Sequence, residues 1–165
     1  MSRHSAFRVA AMSIAIALSA TALTTANAVV PTSTSAINTN QAGLALHGYD
    51  PVAYFTVGRP MLGKARFTAK HEGVTYRFAS AANLKRFKAD PAAHTPQFGG
   101  FCAMGVALDK KLDGDPKVWK IVGGKLYVNV NKDVQTAWLR DVPGNLVKAN
   151  EQWPEIKDKT PESLG

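Results

Sequence analysis

A single cysteine, Cys102, lies in the run 99–105, which reads Gly-Gly-Phe-Cys-Ala-Met-Gly. Sulfur and imidazole ligands select copper and zinc among the biological metals. The side chains of these types that we consider as metal ligands are His47, His94, Cys102 and Met104. Two histidines, a cysteine and a methionine are the ligands of a blue-copper site. We therefore consider a soft metal, copper or zinc, as the cofactor, although no short-spaced metal motif joins the four donors.

The same residues leave two other functions open. Cys102 with His94 or His47, and Asp50 as orienter, has the residue types of a cysteine nucleophile and its base. No hydrolase signature surrounds Cys102, so we assign no catalytic residue and favour binding over catalysis. The other alternative is a metal-free module that binds a small molecule or a protein. Its candidate ligand-binding residues are Tyr49, Asp50, Tyr54, Phe98 and Phe101, with Phe55 beside them.

Three aspartates form a loose acidic run, Asp109, Asp113 and Asp115. The run lacks the spacing and the final glutamate of a calcium-binding loop. Glycine and lysine lie between the acids, as is common in exposed turns. The sequence therefore predicts a solvated turn here.

The N-terminus has the features of a cleaved signal peptide. Arg3 and Arg8 precede a small, apolar stretch at 9–22, and Ala26-Asn27-Ala28 supplies a small-x-small cleavage site. The apolar stretch is shorter than the ~20 residues of a membrane span. We predict a signal peptide at 1–28, a flexible Thr/Ser-rich leader at 29–42, and a periplasmic or secreted product.

The chain has 165 residues and a formal net charge of +8, and its basic residues are spread along the sequence. This length suits one domain with one core. A nucleic-acid role is not expected, because no aromatic-basic cluster is present. We expect no stable membrane insertion after cleavage, a periplasmic protein as a candidate partner, and a monomer or a weak dimer.

Local patterns predict a small α+β domain at 43–156, followed by a charged tail at 157–165. Asp50-Pro51 starts a short helix, and Ser80 caps a second one. Extended runs at 66–71 and 74–79 meet at Glu72-Gly73, which predicts a hairpin.

A second hairpin is predicted over 119–122 and 125–129, turning at Gly123-Gly124. Asn131 or Asp133 caps the helix that follows. Pro143-Gly144 is expected to break it, with a last helix from about Asn145.

These motifs, in their order and spacing, resemble the YHS domain, and in particular its stand-alone exported subgroup. The resemblance rests on Asp50-Pro51-Val52, on the strand 73–80 (Gly-Val-Thr-Tyr-Arg-Phe-Ala-Ser), on Phe87, and on Asp90-Pro91. It covers about residues 47–100, the core module. It implies a β-hairpin with a helix, and a role in binding.

The resemblance also implies where a metal-handling module of this family carries its cysteines. In this chain those positions hold Ala53, Ala79 and Asn83, none of which supplies a thiolate. The family's thiolate metal site therefore does not transfer to this chain.

Overall fold

Two antiparallel β-hairpins and five short α-helices occur in residues 33–165, the part of the chain that this computed structural model describes. In chain order they are α1 Ala53–Thr56, β1 Lys64–His71, β2 Val74–Phe78, α2 Ala81–Ala89, α3 Ala103–Ala107, β3 Asp115–Val122, β4 Lys125–Asn129, α4 Lys132–Leu139 and α5 Val142–Ile156. The two hairpins form separate two-stranded sheets. This arrangement confirms the predicted α+β class. The predicted signal peptide and residues 29–32 lie outside the described residues.

Both hairpins turn where the sequence predicts. Glu72 and Gly73 have φ values of 48° and 80°, and Gly123 and Gly124 have 56° and 73°. Positive φ at both positions matches the twist of the flanking strands. The first strand of each hairpin begins earlier than predicted, at Lys64 and Asp115. Each extension contains a register shift, which interrupts the alternation that sequence patterns detect.

Side-chain caps start the longer helices. Ser80 accepts from Asn83 N at 3.1 Å, and Asn131 accepts from Val134 N at 2.9 Å. The predicted start of the last helix, Asn145, is wrong, because α5 begins at Val142. The Asp141 carboxylate caps it, and a proline is tolerated in a first turn, where amides lack helical partners anyway.

Three apolar clusters form the core. Trp138 and Ile156 are fully buried in the first, among α3, α4 and α5. The second joins the β1–β2 hairpin to α2 through Tyr76 and Phe87. In the third, Tyr54 packs with residues of β4. The third cluster therefore ties α1 to the second hairpin.

Residues at both ends of the described chain are packed against the domain. The segment 33–42, expected as part of a flexible leader, buries Ile37, Asn38 and Asn40. Asn38 N donates to Gly99 O at 2.9 Å, so this segment belongs to the fold. In the tail, Leu164 packs against the first apolar cluster. Between residues 33 and 165, no helix has the length and apolar composition needed to cross a membrane.

Candidate functional site

His47 lies on a strained turn. Leu46 and His47 have φ values of 46° and 51°, a left-handed conformation that costs a non-glycine residue roughly 1–2 kcal/mol. The turn is held by Tyr49 N, which donates to Leu46 O at 2.8 Å, and by Gly63 N, which donates to Gly48 O at 2.8 Å. Such strain persists where surrounding structure imposes it, and it concentrates at functional sites.

Asp113 is placed beside this turn by a strip of short backbone pairings. Phe101 pairs with Asp113, and Cys102 pairs with Val128 of β4. Gly114 permits the close packing, because a Cβ there would lie 2.5 Å from Gly100 O. Asp113 and Gly114 are therefore part of the packed structure, and the predicted solvated turn is wrong for Asp113.

The two side chains form a pair that is largely shielded from water. His47 Nε2 lies 2.8 Å from Asp113 Oδ1, and the side chains are 9% and 21% exposed. Asn38 Nδ2 donates to the same carboxylate oxygen at 2.7 Å and to Gly100 O at 3.2 Å. The Asp113 carboxylate is thus fixed from two sides, and it in turn fixes the orientation of the His47 ring.

A cleft of about 420 Å³ opens at this pair. Its lining combines acidic, basic and apolar groups from the turn around His47 and from the start of β3. The lining residues are His47, Tyr49, Asp113, Asp115, Pro116, Lys117 and Val130. A concave site with a few oriented polar groups on apolar walls is the usual form of a small-molecule site.

The side chains that line the cleft can take part in proton transfer and in ligand binding. An imidazole oriented by a carboxylate can act as a general base. The lining residues include no serine, threonine or cysteine that such a base could activate. The two carboxylates suit ligands with hydrogen-bond donors, and Tyr49 adds an aromatic side chain to the lining.

Cys102 is fully buried and does not line this cleft. Its Sγ accepts from Gly105 N at 3.4 Å, at the start of α3, and lies 3.5 Å from Asn129 Oδ1. Burial raises the pKa of the Cys102 thiol, although hydrogen bonds from the backbone of Gly105, Val130 and Met104 oppose the shift. The neutral thiol is a poor nucleophile and a poor metal ligand.

We expect Cys102 to be inert in the folded protein. With iodoacetamide at pH 7, alkylation should be about a thousandfold slower than in urea-unfolded protein, because reaction requires opening that costs about 4 kcal/mol. Mass spectrometry of timed samples measures both rates. Alkylation of the folded protein within tenfold of the unfolded rate would show an accessible, reactive thiol and revive the nucleophile hypothesis.

Each of the remaining metal candidates has packing or hydrogen-bond partners of its own. His94 Nδ1 bonds Asp90 O at 2.9 Å, and its ring packs against Phe55. Met104 is half-buried and packs against the first apolar cluster. Among residues 33–165 no group of three or more His, Cys, Asp or Glu side chains could hold a metal ion. His47, His94 and Cys102 therefore do not converge, while His47 has Asp113 as its partner.

The candidate aromatic pocket is distributed through the core. Tyr54, Phe98 and Phe101 are buried, and Tyr54 Oη donates to Pro116 O at 2.8 Å. Of the predicted ligand-binding residues, only Tyr49 lines the cleft. Asp50 is fully buried, and its carboxylate accepts four hydrogen bonds from within the fold.

The Asp50 carboxylate accepts hydrogen bonds from the three residues that stand where the resemblance puts the family's cysteines. Its oxygens accept from Ala53 N at 3.3 Å, from Ala79 N at 2.8 Å and from Asn83 Nδ2 at 2.7 Å. The three positions thus surround one buried carboxylate, with Asn83 as a hydrogen-bond donor to it. This network joins the start of α1 to β2 and α2.

Comparison of the chain with family models, curated proteins and solved structures finds no match. The resemblance to the YHS domain therefore rests on the motifs alone.

Sequence reasoning missed Asn38, Asp113, Asp115 and Lys117 as site residues. Asn38 lay in the predicted leader, and Asp113 and Asp115 in the predicted solvated turn. The Asp-Gly-Asp-Pro run at 113–116 carries the one local signal, since two carboxylates flank a glycine there.

Proposed function

We propose that the protein is an exported, YHS-like binding protein that holds a small molecule bearing amino or hydroxyl groups in the cleft beside His47 and Asp113. The observation that carries the proposal is the fixed His47–Asp113 pair, 2.8 Å apart, which lines the cleft and has His47 on a strained turn. A protein retains such strain where a preorganised group has a use.

The hydrogen-bond acceptors of the cleft support this ligand class. Asp113 Oδ1 is occupied by His47 and Asn38, and Asp115 Oδ1 accepts from Lys117 N at 2.8 Å. Each carboxylate has a second oxygen, for which no hydrogen bond is present among residues 33–165. Those two oxygens can accept from ligand N–H or O–H groups, while Tyr49 packs against the ligand's carbon skeleton.

The test uses titration of ¹⁵N-labelled protein followed by NMR. Amine probes are spermidine, ethanolamine and glucosamine, and hydroxyl probes are glucose and inositol. We expect at least one probe to shift resonances of the 47–49 and 113–117 segments. Asp113→Asn and His47→Gln should raise the Kd about tenfold, as expected for the loss of a charged hydrogen bond. Asp133→Asn, an exposed aspartate in α4, is the matched control and should leave the Kd unchanged.

Two outcomes would overturn the proposal. One is the absence of shifts in the cleft with every probe at millimolar concentration. The other is binding that Asp113→Asn, His47→Gln and Asp133→Asn affect equally. Tyr49→Leu keeps the test informative if either cleft variant unfolds, because it removes the aromatic wall and leaves the hydrogen-bonded pair.

A copper or zinc ion is the alternative ligand, and the same titration distinguishes it. Imidazole and carboxylate are zinc ligands, so His47 and Asp113 supply two donors of suitable type. Cupric and zinc chloride are titrated against wild type, His47→Gln and Cys102→Ala. Submicromolar binding lost only in His47→Gln would place the metal in the cleft. Submicromolar binding lost in Cys102→Ala would support the metal site centred on the cysteine.

A further inference from the structure

A second cavity, independent of the cleft, lies along the outer edge of β1. Its volume is about 380 Å³, and it is lined by Thr68, Ala69, Lys70, His71, Phe87, Lys88 and Pro91. Successive side chains of a strand point to opposite faces. Four consecutive residues of one strand can line a single cavity only along the edge of that strand. The cavity is therefore a groove between β1 and the C-terminal end of α2.

The edge of β1 on this side has no partner strand among residues 33–165, because β1 pairs only with β2. His71 and Val74 close the two-residue turn, so they form a hydrogen-bonded pair in a hairpin of this kind. The alternation then directs the amide and carbonyl groups of Lys70 and Thr68 away from β2. These groups point towards the groove and are available to an added strand.

The groove is basic. Residues 64–88 contain seven lysine or arginine side chains and one acid, Glu72. Lys70 and Lys88 are exposed and stand on its opposite walls, and His71 packs edge-on against Phe87 at 5.8 Å between ring centroids. Glu72, the one acid in this range, is exposed at the hairpin turn, where its Oε1 lies 3.9 Å from His71 Nε2.

We propose that this groove binds an acidic, extended segment of a partner protein, which adds to β1 as a third strand. Backbone groups of Thr68 and Lys70 pair with the segment, and Lys70 and Lys88 contact its carboxylates. Strand addition of this kind gains affinity from the backbone and selectivity from the flanking side chains. A second copy of the chain is disfavoured here, because two basic edges would repel each other.

The test measures binding of a synthetic peptide of alternating glutamate and valine, with blocked ends, by fluorescence anisotropy. A lysine–valine peptide of the same length is the charge control and should not bind. The variant Lys70→Glu with Lys88→Glu should weaken binding about tenfold or more, because two attractive contacts become repulsive. Lys120→Glu with Lys125→Glu, on the β3–β4 hairpin, is the matched control and should change the Kd less than about twofold.

Amide hydrogen exchange separates strand addition from simple charge attraction. On saturation with the acidic peptide, we expect the Thr68 and Lys70 amides to gain at least tenfold protection. Amides of Ala69 and His71, already paired with β2, should change much less. The variants need not be stable for this measurement, because it uses the wild-type chain.

Four results would overturn the proposal. The first two are no binding of the acidic peptide at millimolar concentration, and binding without protection of the Thr68 and Lys70 amides. The third is displacement of the peptide by inorganic phosphate at constant ionic strength, which would identify a small-anion site. The fourth is a dimer formed through this edge. Sedimentation should show that the protein is a monomer. A dimer that Lys70→Glu disrupts would identify a second copy of the chain as the occupant of the groove, and this result would also contradict the proposal.

Discussion

Asp50→Ala should lower the free energy of unfolding by about 3–5 kcal/mol, enough to unfold much of a marginally stable domain. The Asp50 carboxylate is fully buried and accepts four hydrogen bonds. Alanine removes every acceptor at once. The donors Val52 N, Ala53 N, Ala79 N and Asn83 Nδ2 then remain in a site closed to water.

The two oxygens of Asp50 act on different parts of the fold. Oδ1 accepts from Val52 N at 2.8 Å and so fixes the start of α1. Oδ2 accepts from Ala79 N and Asn83 Nδ2, which lie at the end of β2 and in α2. Asp50→Asn should therefore also destabilise the fold. Its amide NH₂ group replaces one of the two accepting oxygens and faces the N–H donors on that side. Asn83→Asp should do the same by placing a second carboxylate 2.7 Å from the first.

The chain offers a matched control in its second Asp-Pro pair. Asp90 also precedes a proline and accepts from a backbone amide, Ala93 N at 3.1 Å, but it is exposed. Asp90→Ala should cost less than about 1 kcal/mol. Urea unfolding followed by tryptophan fluorescence measures both variants. Equal losses for Asp50→Ala and Asp90→Ala would show that burial of the Asp50 carboxylate adds nothing.

Features that depend on neighbouring residues could be read from the sequence. Glu72-Gly73 and Gly123-Gly124 specify tight turns, because both positions need positive φ and glycine supplies it freely. Ser80 and Asn131 are helix caps by virtue of the amides three residues ahead of them. These local rules give the two hairpins and most of the helices, and hence the α+β class.

The cleft could not be read in this way, because its groups are distant in sequence. His47 and Asp113 are 66 residues apart, and Asn38 is 75 residues from Asp113. No periodicity or turn rule links them; the pairing of the 101–102 segment with 113 and with β4 brings them together. The loop position of His47 made it a candidate site residue. Its partner, Asp113, lies in a sequence that is typical of an ordinary exposed turn.

Cys102 shows a different limit of sequence reasoning. Its glycine-rich surroundings suggested a ligand loop, but those glycines are explained by packing. A Cβ on Gly99 would lie 1.8 Å from Ala36 O, and Gly99 O accepts from Asn38 N. The turn at Gly99 therefore anchors the segment that leads to Asn38. Asn38 in turn donates to Asp113, which lines the cleft. The residue type of Cys102 suggested chemistry, and its burial assigns it to the core.

Lys111→Met should lower the free energy of unfolding by about 2–3 kcal/mol, although no carboxylate in residues 33–165 lies within hydrogen-bond distance of the Lys111 ammonium. The side chain is 1% exposed, and its ammonium donates to the carbonyl oxygens of Ser35, Lys157 and Lys159 at 3.0, 2.9 and 2.7 Å. The Nζ atom also lies 4.8 Å from the centroid of the Phe101 ring.

The ammonium of Lys111 joins three parts of the fold that are far apart in sequence. Burial lowers its pKa, and the negative charge of Asp158 opposes that shift. Three carbonyls replace the water that the cation loses, which makes the buried charge tolerable. Methionine matches the length of the chain but leaves those carbonyls without their donor.

Lys110→Met is the matched control for this prediction. Lys110 is the adjacent residue and is less buried, and within residues 33–165 its ammonium donates one hydrogen bond, to Gly165 O at 2.7 Å. Its loss should cost less than about 0.5 kcal/mol. Urea unfolding gives the global difference, and limited proteolysis tests its location. Because Lys111 holds Ser35, Lys157 and Lys159, cleavage in Lys111→Met should first accelerate within 33–42 and 157–165. Two results would contradict the role of Lys111 as the link between segments 33–42 and 157–165. One is a uniform acceleration of cleavage across the chain, and the other is an equal loss of unfolding free energy in the two lysine variants.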